Sequence, residues 1–282
     1  MSRSDAAAVE ADPAVESGGG RTAAGLSSVR NAARVLKEFS RGTRELGVTE
    51  LSRRLGISKS TAHRLLTTLT DERLLEQDPY TGTYRLGLAM YELGASAAAN
   101  ADLHHASVLV IEQLASATRE TIQIAVLDGR EVVYVERRDS PQALRIFGRI
   151  GHRNDAYCTS TGKVLLAFLP TEQLESTLDG WVLTPRTEHT ISSVPRLRRE
   201  LELVRARGWA DNVNEVEIGV ASVAAPIRNA AGEVVAAVSV AGPLQRLTPD
   251  SLKRYARSAV EGGLAISRRL GYRDTSTGRS GA

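Results

Sequence analysis

Between residues 48 and 69 the chain sets a short amphipathic segment, a glycine and a longer amphipathic segment end to end, a succession that few folds accommodate. Leu51 and Leu55 give a single apolar face over two turns, with Thr49 as cap and Val48 as the staple residue, and Gly56 stops the segment. Ile57 then turns inward, Ser58 caps the second segment, and Ala62, Leu65, Leu66 and Leu69 form its buried stripe. Short helix, glycine turn, long helix: the pattern predicts a helix-turn-helix. A preceding helix is marked by Val29, Ala32, Ala33, Leu36 and Phe39, with Ser28 as its cap and Gly42 after its last turn.

The 3.6-residue period of the longer helix puts Ser60, Arg64 and Thr67 opposite its buried stripe, flanked by Lys59, Thr61 and His63. A recognition helix enters the major groove of double-stranded DNA by its N-terminal half, so these six residues are the contact candidates, and Arg64 has the fork that reads guanine. Residues 74–78 and 83–86 alternate around Pro79, Tyr80, Thr81 and Gly82, which predicts a hairpin wing with Tyr84 and Arg85 placed to touch phosphate. Charge agrees. The whole chain carries only +3, but residues 26–90 hold eleven Lys or Arg against seven Asp or Glu. In residues 49–65, Arg53, Arg54, Lys59 and Arg64 face a single acid, Glu50.

At 282 residues and 42% hydrophobic content, the chain can bury a core in each of two domains. Its one cysteine, Cys158, excludes an internal disulfide framework and favours a reducing, cytoplasmic location. The Ala-, Ser- and Gly-rich first 25 residues read as a disordered tail rather than a signal, and no apolar run reaches the roughly 18 to 20 residues of a membrane span.

Residues 86–100 read as an alanine-rich helix with Leu88, Tyr91 and Leu93 at apolar spacing, followed by a helix from Asp102 to about Thr118. Then come strands at 122–127 and 132–136 around an Asp128-Gly129 turn, and further strands at 144–147, 209–212, 222–228 and 234–240, the last pair joined across 229–232. Capping or proline signals open helices at 159–169, 171–178, 195–207 and 249–270. The expected organisation is α+β: a tail to residue 25, a winged helix-turn-helix over 26–87, a linker helix over 88–102, a second domain with an antiparallel sheet over 103–272, and a disordered tail over 273–282.

Enzymatic readings find little purchase. Cys158 has no histidine at a spacing that makes a nucleophile pair. The run from Thr159 to Lys163 resembles the end of a phosphate loop but has Tyr157 and Val164 where glycine and a hydroxyl are required. His104 and His105 point about 100° apart on one helix, which is no metal site. Asp128 with Glu131, and Glu215 with Glu217, read as surface charge rather than catalytic pairs. Neither a reaction nor a cofactor is expected.

The segments SVRNAARVLKEFS, VTELSRRLGISKSTAHRLLTTL and LLEQDPYTGTYRLG resemble the DNA-binding domain of the IclR family of bacterial regulators. The resemblance continues through VLDGREVVYVERRDSPQALR, CTSTGKVLLAFLP, GWADNVNEVEIGVASVAAPI and AAVSVAGPLQRLT. It implies a GAF-like effector domain holding a small organic acid, a linker helix that helps to form a homodimer or dimer of dimers, and repression of a catabolic or metabolic operon. It also implies pocket roles for Thr159, Ser160, Thr161, Asn212, Ser222 and Ser239, the loop before 162 suiting an anion at a helix start. The chain departs from the family pattern where Asn212 and Asn214 replace carboxylates, Ser222 a cysteine and Ala241 a serine. An amide at Asn212 repels an anionic ligand less than a carboxylate does.

Overall fold

A computed structural model describes residues 27–40, 45–99, 102–146 and 148–273. The chain divides into two compact units at Leu93/Gly94. In the first, α1 (Ser27–Ser40), α2 (Val48–Leu55) and α3 (Lys59–Asp71) precede a hairpin of β1 (Leu75–Gln77) and β2 (Tyr84–Leu86). Gly56 closes α2 in the left-handed conformation (φ 65°), which glycine adopts without steric penalty. The Ser58 hydroxyl caps α3 by accepting from the Thr61 N–H, and the core is Val35, Phe39, Leu46, Leu51, Leu55, Leu66, Leu69, Leu75 and Tyr84.

Several details differ from the sequence expectation. Ser28 lies inside α1 rather than before it, and Val35 is fully buried while Val29 and Ala33 are exposed, so the buried face of α1 runs through Ala32, Val35, Leu36 and Phe39. The helical period accommodates either stripe, and packing against α3 selects this one. Thr49 is not a cap, because α2 begins one residue earlier, after Gly47. Gly42 lies outside the described residues.

The helix α4 (Leu88–Ala99) spans the boundary between the units. The second unit continues with α5 (Asp102–Thr118), the hairpin β3 (Thr121–Asp128) and β4 (Glu131–Arg138), the short β5 (Arg153–Asp155), α6 (Ser160–Ala167), α7 (Thr171–Leu178) and α8 (Val194–Arg207), then β6 (Ala210–Val213), β7 (Val220–Arg228), β8 (Val234–Pro243) and α9 (Pro249–Arg269). The six strands form an antiparallel sheet in the order β5-β4-β3-β8-β7-β6. Residues 144–146, expected as a strand, are irregular, and Phe147 lies outside the described residues; β5 carries the edge instead.

Alternation along the strands splits the core into two layers, as period-two side chains require. Ile122, Ile124, Val223, Ala225, Val238 and Val240 face α5 and α9, whereas Ala125, Ala224 and Ala237 face α6 and α8. The alanines on that second face let α6 come close, and all eight of its residues are buried. Gly162 sets the approach: a Cβ there would lie 2.2 Å from the Ala156 carbonyl oxygen. Gly162→Ala is therefore expected to destabilise the second unit by about 1–3 kcal/mol in urea unfolding, while Gly94→Ala, which meets nothing within 4 Å, leaves stability unchanged or slightly raised.

Candidate functional site

On α3, Lys59, Ser60, His63, Arg64 and Thr67 are exposed, and Thr61 is half-buried. The Ser58 hydroxyl lies 2.9 Å from both the Ser60 and Thr61 hydroxyls, and His63 Nδ1 is 3.0 Å from Thr67 Oγ1. Thr61 therefore belongs to the cap, while Ser60, His63 and Thr67 sit in short surface hydrogen bonds open to solvent. Neighbouring charge is more balanced than a count suggests. Arg53 and Arg54 both hold Glu50, at 2.7 Å each, and their hydrogen bonds lower its carboxyl to about 2. Lys59 and Arg64 have no such partner among the described residues, so the unspent positive charge stands at the N-terminal half of α3, where phosphates and base edges approach.

The wing needs correction. Tyr84 is 3% exposed and belongs to the core, and its backbone bridges Leu46, with Leu46 N–H donating to Tyr84 O at 3.0 Å and the reverse bond at 2.9 Å. Its ring is not available to DNA; alternation in a three-residue strand leaves one face for packing, and the ring takes it. Arg85 points outward but is held by Glu76 at 3.0 Å across the hairpin. The residue that projects is Tyr80, 96% exposed at a turn in which Asp78 Oδ1 accepts from the Tyr80 and Thr81 N–H groups. An aromatic between proline and glycine has no core to enter, and that was the available signal.

In the second unit a cavity of about 480 Å³ opens beside the sheet. Thr159, Asn212 and Ser222, among the expected pocket residues, line it; Ser160, Thr161 and Ser239 do not. The latter three lie behind the wall. Ser160 Oγ is 2.7 Å from Ser222 Oγ, Thr161 Oγ1 is buried beside the Tyr134 hydroxyl, and Ser239 Oγ points to the Gln123 carbonyl. Thr159 spends its hydroxyl capping α6, accepting from Gly162 N–H at 3.1 Å. The polar lining that sequence reasoning missed is Gln123, Tyr134, His152 and Asn154, with Arg145 and Gln245 also contributing. These come from separated strands and loops, so no local motif announces them. Burial pushes the Tyr134 hydroxyl up, keeping it a neutral donor.

Asn212 is the informative group. Its Oδ1 accepts from Glu215 N–H at 2.9 Å, and its amide nitrogen carries two further donors beside the cavity that it lines. Asn214 plays another part: at φ 62° it sits in the left-handed region that asparagine tolerates, and its Oδ1 accepts from Gly219 N–H at 2.7 Å. Glu215 in turn pairs with Lys163 of α6 at 2.6 Å, both side chains nearly enclosed. Burial pushes the Glu215 carboxyl up against the opposing pull of Lys163.

Cys158 is 1% exposed, and burial, with Asp155 and Glu215 adding to it, pushes its thiol up to about 12. A thiol so placed is packing material. Iodoacetamide at near-neutral pH is expected to leave it unmodified in the native protein and to label it fully after unfolding; rapid native labelling would show that the thiol is open to solvent.

The first unit matches the family model described as the IclR helix-turn-helix domain over residues 28–79, and the second matches the bacterial transcriptional regulator IclR C-terminal model over 95–268. The chain is 36% identical over 231 residues to the HTH-type transcriptional regulator KdgR of Escherichia coli, covering 82% of this chain and 88% of that protein. It is 28% identical over 249 residues to the HTH-type transcriptional repressor AllR of Klebsiella pneumoniae, covering 88% and 92%. Among solved structures, an IclR homolog from Microbacterium hydrocarbonoxydans complexed with 4-hydroxybenzoate superposes with a TM-score of 0.78 at 28% identity, covering 86% of this chain and 99% of that one. With both family models matched across the two units just described, the chain belongs to the IclR family of bacterial transcriptional regulators and is a helix-turn-helix regulator, not an enzyme.

Proposed function

We propose that this regulator represses its target operon, a catabolic or metabolic one, and is controlled by a small organic acid held in the 480 Å³ cavity. The observation that carries the reading is the placement of Asn212 in the cavity wall: its oxygen is engaged by Glu215 N–H and its amide nitrogen has two donors to give, which suits a carboxylate or hydroxyl oxygen. The Tyr134 hydroxyl and the side chains of His152 and Arg145 add donors around the same space. The Microbacterium relative crystallised with an aromatic hydroxy acid supports the ligand class, and the repressor named among the relatives supports the sign.

Lys59, Ser60, His63, Arg64 and Thr67 are the proposed contacts to double-stranded DNA, with Arg64 reading a base edge and Arg85 reaching phosphate once it leaves Glu76. Two copies, alone or as a dimer of dimers, present two such helices to two half-sites. The exposed Leu88, Tyr91 and Leu93 of α4 are the apolar surface suited to joining them. The working location is the cytoplasm, where the DNA is.

The test is fluorescence anisotropy on DNA from upstream of the protein's own gene, at fixed salt, with a panel of small carboxylic and aromatic acids that includes 4-hydroxybenzoate. Tight binding released by one acid supports the proposal; tight binding that no acid alters leaves the DNA role standing and removes the acid effector. Arg64→Ala is expected to weaken specific binding by about 1–3 kcal/mol and to relax preference at one base pair. Asn212→Leu should abolish the acid response while DNA affinity without ligand stays unchanged; a normal response in this variant places the ligand elsewhere.

A further inference from the structure

The sheet itself builds the floor of the cavity. Each of its six strands sends one side chain there: Asn154 from β5, Tyr134 from β4, Gln123 from β3, Ala241 from β8, Ser222 from β7 and Asn212 from β6. Alternation puts them on the face that carries Ala125, Ala224 and Ala237, beside the alanines that α6 covers. Depth then separates the lining by charge. Gln123, Tyr134, Asn212, Ser222 and Ala241 are buried, and none is a cation or an anion, whereas Arg145 and Glu217 are exposed and stand at the mouth. Most of the buried polar groups are engaged. Ser222 Oγ meets Ser160 Oγ at 2.7 Å, Asn212 Oδ1 is taken by Glu215 N–H, and the Tyr134 hydroxyl lies with Asn154 and Thr161. Gln123 is the exception: it is 7% exposed, lines the cavity, and its carboxamide has no hydrogen-bond partner among the described residues. Its oxygen and nitrogen keep accessible surface, and the space they can face is the cavity.

A carboxamide sets its own terms for a ligand, because its carbonyl needs a donor and its nitrogen an acceptor. Water serves both until a ligand displaces it, and a ligand that cannot replace those bonds leaves the amide unpaired at a cost of about 1–3 kcal/mol. A carboxylate only accepts, and with no cation at this depth its charge would be buried without compensation. A hydroxyl both donates and accepts. We infer that the cavity selects a hydroxy acid bound hydroxyl first: a hydroxyl remote from the carboxylate meets Gln123 on the floor, and the carboxylate stays at the mouth beside Arg145. This rests on the reading of the cavity as the acid site, and it makes Gln123 the residue that tells a hydroxy acid from its parent acid. A phenol and an aliphatic alcohol share the required chemistry.

Titration calorimetry of the full-length protein tests this with two pairs of probes, 4-hydroxybenzoate against benzoate and 6-hydroxyhexanoate against hexanoate. In at least one pair the hydroxy acid is expected to bind about tenfold tighter than its parent, and which pair does so tells an aromatic ligand from an aliphatic one. Gln123→Met, close in length, should bring that hydroxy acid down to the level of its parent, with far-ultraviolet dichroism confirming the fold. Arg145→Gln, at the exposed mouth, should weaken hydroxy acid and parent alike by about tenfold and leave their ratio as it was. The inference is overturned if neither hydroxy acid outbinds its parent, if folded Gln123→Met keeps the preference, or if Arg145→Gln removes it, which would reverse the ligand in the cavity. The wild-type pairs and Arg145→Gln decide the matter even where Gln123→Met does not fold. An acid without a remote hydroxyl that alters DNA binding as well as the hydroxy acids do leaves the acid effector standing and removes this refinement; if no acid alters DNA binding, both fall.

Discussion

The second unit depends on one helix being enclosed. α6 lies against the alanine-lined face of the sheet, and position 162 has no room for a Cβ against the Ala156 carbonyl. Enclosing a helix that carries serine, threonine and lysine is costly unless each polar group finds a partner. Ser160 finds Ser222 on β7, and Lys163 finds Glu215 beyond β6. The same two partners, or their immediate neighbours, form the cavity wall: Ser222 lines it directly, and Glu215 fixes Asn212 through its backbone N–H. The groups that make the helix burial tolerable are thus the groups that shape the cavity.

Much of this organisation was legible in the sequence. Gly56, Ser58 and the stripe of Ala62, Leu66 and Leu69 gave the helix-turn-helix because caps and period are local properties. The Asp128-Gly129 and 229–232 turns gave both main hairpins for the same reason. What failed was whatever depends on a distant partner. Val35 over Val29 was decided by α3, the inward turn of Tyr84 by a three-residue strand with Leu46 beside it, and the irregular course of 144–146 by loop contacts that alternation cannot express. In the cavity, Thr159, Asn212 and Ser222 were found through family resemblance. Gln123, Tyr134 and His152 were not, since they share no stretch of chain and meet only when the sheet curls.

Electrostatics in the first unit shows how a count of charges misleads. Arg53 and Arg54 look like part of a DNA-facing patch, yet both close on Glu50, and Arg54 also lies 3.7 Å from Glu38. Their charge braces α2 against its surroundings. Among the described residues Lys59 and Arg64 have no such partner, which leaves the unpaired positive charge of this region on one helix.

The pair of backbone bonds between Leu46 and Tyr84 ties the wing to the segment that leads into α2. Wing and recognition helix are consequently one solid piece, with a shared core and no hinge between them. On the proposed reading, vocabulary and volume are thereby separated: the preferred base sequence would belong to the packed unit, and a ligand would change how long the protein stays.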